Sequence, residues 1–457
     1  MFGGRASWLL VFSSLFFSST ARAEPPRLQS AIGNPDDLKL SGSVRVRYEA
    51  LDGQPRSGLR LSDEQLALRS TLFAEYRHGA FGVGGEVYDS RAYLDRPGSA
   101  LSANEVNTLE LVQAYLVADF KDVVGAGSTA SVQVGRMTLN LGSRRLVAAD
   151  DYRNTTNGYT GVRADVKARD GMTASLIYVL PQVRLPDDLP SIQREKVGWD
   201  RESFDLRLWG GLVALPRSIA GAAAELGYFR LQERDAPGRP TRNRNLHSIS
   251  GRIIRDASVG RWDFEMEGVF QFGDTRASIS VAAPRLPVRA WFLHADAGYL
   301  FPGPAKLRLS VEYDYASGEG PGKHFGRFDT LFGMRRADLA PAGIYNAIGR
   351  ANISTPGLRV EVAPGKRVDA FASYRALWLA ERTDAFSTTG VRDATGRSGS
   401  FAGHQLEARL RYWLVPGFLR AEMNAVWLAK GRFLKTAHNA PQTGDTHYLA
   451  TAITATF

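Results

Sequence analysis

The 457-residue chain has no cysteine, which excludes a disulfide framework and any thiolate metal site. Beyond its first two dozen residues it has no run of 18 or more apolar residues, so no transmembrane helix is encoded. A mature chain placed in a membrane would therefore be a closed barrel, because only helices and barrels satisfy every backbone group in lipid. The signatures of soluble catalysis are missing too. There is no G-x-S-x-G nucleophile elbow and no Walker-type glycine loop. The histidines, at 78, 247, 294, 324, 404, 438 and 447, never fall at the i, i+4 spacing of a helical zinc site. A Ser–His pair could be drawn from His404 with Ser398 or Ser400, but polar loop residues are the better reading. The sequence predicts no catalytic centre, no metal site and no cofactor. No internal repeat divides it, and it reads as one domain.

What is present leans toward β structure: Gly 46, Phe 23, Tyr 16 and Trp 8. Residues 1–23 carry a positive n-region at Arg5, an apolar core from Trp8 to Ser19, and an A-x-A site at Ala21-Arg22-Ala23. The core is too short to span a bilayer, which takes roughly 20 residues. A secretory signal cleaved after Ala23 is expected. Loss of Arg5 and Arg22 lowers the formal charge from +10 to +8, so the mature chain stays basic. Positive excess favours anionic partners, and secretion argues against nucleic acid. Residues 24–37 read as a Pro-containing periplasmic lead-in, and 38–457 as a barrel.

The strand signal is strict alternation over about ten residues at a time, the length a tilted membrane strand needs. Val44, Val46 and Tyr48 oppose Arg45, Arg47 and Glu49. Trp262, Phe264 and Met266 oppose Asp263, Glu265 and Glu267. Leu309, Val311 and Tyr313 oppose Arg308, Ser310 and Glu312, and Leu406, Leu410 and Tyr412 oppose Gln405, Arg409 and Arg411. A soluble sandwich alternates too, but its strands average about five or six residues. Connections alternate in length as well. Short ones are expected near His78–Gly79, Lys121–Gly127, Ala168–Gly171, Pro216–Ala220, Asp256–Val259, Pro302–Pro304, Pro364–Lys366 and Val415–Gly417. Between them fall long ones, among them Asn140–Asn157 and Ser317–Ala342. An up-and-down barrel puts every short turn in the periplasm and every long loop outside. The expectation is an all-β fold: a single transmembrane antiparallel up-and-down β-barrel of about 18 strands, in the outer membrane of a Gram-negative cell. Tyr448–Phe457 closes it with a terminal aromatic.

Arginine collects on the polar faces, at Arg45, Arg47, Arg69, Arg163, Arg207, Arg308, Arg375, Arg409, Arg411 and Arg420, with Glu49, Asp165, Asp205, Glu312, Glu407 and Glu422 among them. Ion pairs that stiffen the wall and an electropositive constriction for an anion both follow from this pattern.

Three stretches carry a family likeness. One holds Gly135-Arg136, Gly142, Arg145-Leu146, Asp151-Tyr152-Arg153-Asn154, Tyr159 and Gly161-Val162-Arg163. Phe328–Asn352 and Gln405–Leu434 are the others. Together they resemble the alginate export family, outer-membrane barrels of about 18 strands that secrete an anionic polysaccharide. The resemblance implies an arginine-lined exit pore for a uronate polymer, with Arg145, Arg163, Arg409 and Arg411 lining it. The family's alginate exporter also plugs its pore with a long periplasmic turn, whereas every periplasmic turn expected here is short.

The pore-lining set expected from face and family together is Arg45, Arg47, Arg69, Arg145, Arg163, Asp165, Arg207, Arg375, Arg409 and Arg411. The expected partners are outer-membrane lipid and lipopolysaccharide, an anionic saccharide, and periplasmic secretion partners. The alternative is a structural or adhesive barrel with a plugged lumen.

Overall fold

The computed structural model describes residues 25–219, 221–334 and 338–457. The expected signal segment and Glu24 lie outside the described residues. The strands are β1 (Leu38–Asp52), β2 (Ser62–His78), β3 (Phe81–Tyr93), β4 (Asn107–Lys121), β5 (Thr129–Met137), β6 (Tyr159–Lys167), β7 (Thr173–Pro181), β8 (Leu206–Ile219) and β9 (Ala222–Glu233). They continue with β10 (Asn245–Arg255), β11 (Trp262–Arg276), β12 (Arg285–Leu300), β13 (Arg308–Ala316), β14 (Ile353–Val362), β15 (Val368–Trp378), β16 (Phe401–Val415), β17 (Leu419–Lys430) and β18 (Thr446–Thr456). Each strand pairs antiparallel with the next, and β18 returns to β1, so the 18-stranded sheet closes without an edge.

The eight turns on one rim have seven residues or fewer, and the nine connections on the other have eight to 36. Each overlaps the stretch in which the sequence placed it, but the turn expected at Pro216–Ala220 begins only after Ile219, because β8 continues through Pro216. The loop after β13 is longer than expected: Gly343–Asn352 stays in the loop, and β14 begins only at Ile353. Pro216 sits beside a register irregularity between Leu215 and Ile219, where a missing N–H is tolerated.

Alternation puts the apolar face outward. On β1, Val44, Val46 and Tyr48 are exposed while Arg45, Arg47 and Glu49 are buried. Leu72, Leu116, Leu176, Leu226, Met266, Val311, Leu358, Leu410 and Ile453 repeat the outward exposure around the wall. In water such a surface would aggregate, whereas in a bilayer it is the lipid-facing band. The closing strand is locked at its end. Phe457 N–H donates to the Gly42 carbonyl at 2.9 Å, and Gly42 N–H returns the bond at 2.8 Å. A Cβ at Gly42 would stand 2.8 Å from the Phe457 ring, so only glycine admits that ring. The lead-in forms α1 (Leu28–Ala31) and is tethered to β1 through Gln29, whose amide bonds Leu38 O and Leu40 N–H at 2.7 Å each.

Candidate functional site in the lumen

The long connections do not all project outward. Residues of 138–158, 317–352, 379–400 and 431–445 share one buried apolar cluster, with Leu139, Val147, Leu339, Ile344, Tyr345, Phe386 and Phe433 almost wholly enclosed. The first two connections are zipped together by a parallel bridge between Val147 and Phe332. Ala148 N–H donates to Phe332 O at 3.1 Å, and Phe332 N–H to Leu146 O at 3.0 Å. Polar groups on the wall then hold both loops. Glu49 accepts from Ile344 N–H and from the Tyr448 hydroxyl, each at 2.8 Å. The Tyr345 hydroxyl donates to Gln405 at 2.7 Å. Asn154 donates to the carbonyls of Leu68, Arg91 and Glu105 at 2.9 to 3.0 Å. These bonds satisfy buried polar groups of wall and loop alike.

The expected pore residues divide by what they touch. Arg45 and Arg69 face each other across β1 and β2. Arg45 donates to Arg153 O at 2.7 Å and to the Asn154 side chain, and Arg69 to the carbonyls of Asp151 and Arg153. Neither makes an ion pair among the described residues. Arg47 is fully buried, 2.7 Å from Glu49 and stacked on Tyr152. Arg375, also fully buried, is clamped by Glu312 at 2.5 Å and Asp314 at 2.8 Å. Arg163 pairs with Asp165 at 2.6 Å, and Asp165 also accepts from Ser175. Arg409 and Arg411 converge on one oxygen of Asp369, at 3.3 and 2.7 Å.

Arg145 is not an exposed lining residue. It is the hub of a buried cluster, bound to Glu265, to Glu267 at 2.5 Å and to Asp338 at 2.7 Å. Burial alone would raise the Asp338 carboxyl, but the Arg145 guanidinium, with His294 and Arg350, holds it far below the usual carboxylate range. Burial likewise opposes the charge on Arg145, and the three carboxylates more than offset it. His294, Asp314 and Asp338 lie within metal-ligand reach of one another. Their carboxylate oxygens, however, already accept from Arg145, Arg350, Arg375 and His294. This is an ion-pair lattice joining loop to wall.

Arg207 corrects the expectation. Leu208 pairs with Leu231, and both are fully buried on the inner face. Arg207 pairs with Gln232 and shares its face with Trp209 and the exposed Val213, so it points outward. His404 also faces out, hydrogen-bonded to the Tyr374 hydroxyl at 2.7 Å, and forms no pair with Ser398. The inward fold of the loops was missed, although Leu139, Leu141, Leu146 and the 339–348 run are too apolar for exposed connections.

A closed 18-stranded up-and-down barrel with an apolar outer band and buried arginines and carboxylates on its inner wall defines an outer-membrane channel protein. The alginate export family model matches residues 36–445, and the chain belongs to that family. Solved structures of similar fold include OccAB1 of Acinetobacter baumannii (TM-score 0.60, 11% identity, covering 92% of this chain and 96% of that one). OccK3 (OpdO) of Pseudomonas aeruginosa gives a TM-score of 0.54 at 14% identity, over 92% and 96% of the two chains. OccK2 (OpdF) of the same organism, solved in complex with glucuronate, gives 0.56 at 12%, over 92% and 98%. At such identities the likeness is one of fold. No curated protein matches the chain in sequence.

Proposed function

We propose that this barrel conducts an anionic saccharide, a uronate or a polymer of uronates, past guanidinium groups on its lumen wall. The observation that carries the reading is the Arg45–Arg69 pair. Two cations stand opposite each other on neighbouring strands, and their hydrogen bonds go to neutral acceptors rather than to carboxylates. Like charges so placed repel, so an anion entering between wall and loop would relieve a cost already present. Membership of a family described by alginate export, and a fold relative solved with glucuronate, agree with a uronate as cargo. The catalytic reading has no support from the His404 surroundings.

The test is the reversal potential across a salt gradient in planar bilayers. Wild type should be anion-selective. Arg45→Gln with Arg69→Gln should lose most of that preference and keep the barrel folded, since lumen substitutions tune selectivity more than stability. A cation-selective wild type, or an unchanged double variant, would remove the pair from the mechanism. A second reading has its own observation: the apolar loop cluster fills lumen space. A barrel that gives no conductance steps at all would support a closed, structural role.

A further inference from the structure

On the outward face, β8 to β12 carry an unbroken chain of rings. Trp209 meets Tyr228 at 5.7 Å, Tyr228 meets His247 at 6.0 Å, and His247 stacks on Phe272 at 4.8 Å. Phe270 joins Phe272 to Trp291, at 5.8 and 4.2 Å. Such belts sit at headgroup level in membrane barrels. Towards the long-loop rim, the next outward position on each strand is Arg207, Arg230, Asn245, Asp274 and Arg289 in turn. Asp274 is already neutralised by Arg285. Arg230 bonds the Asn245 side chain at 3.1 Å and lies over Trp209. Among the described residues, Arg207, Arg230 and Arg289 make no ion pair, and Arg207 Nε is buried with no hydrogen-bond partner. Two other arginines near this rim are paired: Arg91 with Asp89 and Glu195, Arg96 with Glu64.

We propose that this sector binds the phosphorylated sugar headgroup of lipopolysaccharide, the three arginines taking its phosphates while its acyl chains descend past the ring belt. The long-loop rim faces the leaflet that carries this glycolipid. Guanidinium is the donor of choice for phosphate, because its fork is planar and bidentate. Arg207 and Arg230 lie on adjacent strands. Arg289 is three strand spacings further on, about 14 Å at about 4.8 Å each. That span suits a headgroup with two separated phosphates better than one with a single phosphate. Below the belt, Leu226, Ile249 and Leu293 are exposed and apolar, as acyl chains require.

The full chain in detergent should be titrated with bis-phosphorylated lipid A, monophosphoryl lipid A and phosphatidylglycerol, with binding read by native mass spectrometry. Wild type should prefer bis-phosphorylated lipid A at least tenfold over the other two. The triple variant Arg207→Gln, Arg230→Gln, Arg289→Gln should lose that preference, while Arg96→Gln keeps it. Heat-modifiable migration on SDS gels reports folding. If the triple variant does not fold, Arg289→Gln alone and the lipid comparison on wild type still decide. Equal wild-type affinity for phosphatidylglycerol, or a folded triple variant binding like wild type, would overturn the assignment. Neither readout depends on what the channel conducts.

Discussion

Glu105 shows how one buried side chain sets a pH dependence. It lies in the loop between β3 and β4, and its carboxylate accepts from Ser102 N–H at 3.0 Å and Ser102 Oγ at 2.7 Å. Burial, helped by nearby Glu49 and opposed by the Ser102 bond, pushes it up to about 7 from an ordinary 4.5. A carboxyl raised by folding favours the native state while it is protonated. That contribution is complete below about pH 4.5 and is lost as pH rises through about 7. The shift bounds it at about 3 kcal/mol. Urea unfolding of the reconstituted barrel should therefore show stability falling between pH 5 and 8. Glu105→Gln should flatten that fall, and parallel profiles for the two proteins would refute the assignment. Arg207 teaches a different lesson at the same scale. Near the rim the inner face packs on the folded-in loops and carries Leu208 and Leu231, while Arg207 and Trp209 point outward, so the polarity that separates inside from outside on Val44–Glu49 is reversed there.

The inward loop between β13 and β14 depends on one glycine. A Cβ at Gly343 would stand 1.9 Å from Glu49 Oε2. Glu49 cannot yield, because Arg47 holds it at 2.7 Å and Tyr448 at 2.8 Å. Gly343→Ala must displace the loop instead, at a cost of about 1–3 kcal/mol. With Ile344 N–H drawn off Glu49, the lumen should widen. Single-channel conductance should rise at least twofold while heat-modifiability stays intact, and an unchanged conductance would show that this loop does not limit flow. The strands themselves were legible because alternation is a period, and a period needs only residue types. Alternating turn lengths were legible for the same reason. The inward loops were not, because a non-periodic segment does not say which wall it meets. Arg145 was visible as a charged loop residue, but its three carboxylates come from Glu265, Glu267 and Asp338, at least 120 positions away in sequence.

For the whole molecule, the two rims are the assertion on which all the rest depends. Eight short turns share one rim and nine long connections the other, which assigns the short-turn rim to the periplasm. Gly238 and Gly303 are suited to testing this. Gly238 lies in the loop between β9 and β10, and Gly303 in the turn between β12 and β13. At both, a Cβ would meet nothing within 4 Å, so a short insertion leaves the packing undisturbed and label reports position rather than misfolding. Gly396, in the loop between β15 and β16, is the poorer site, since a Cβ there would lie 3.1 Å from the Arg382 side chain. An epitope at Gly238 should label on intact cells. One at Gly303 should label only after the outer membrane is breached. Equal labelling of both on intact cells would invert or dissolve the topology. The Arg207–Arg230–Arg289 surface would then no longer face the glycolipid leaflet, and the direction in which an anion meets Arg45 and Arg69 would have to be reversed.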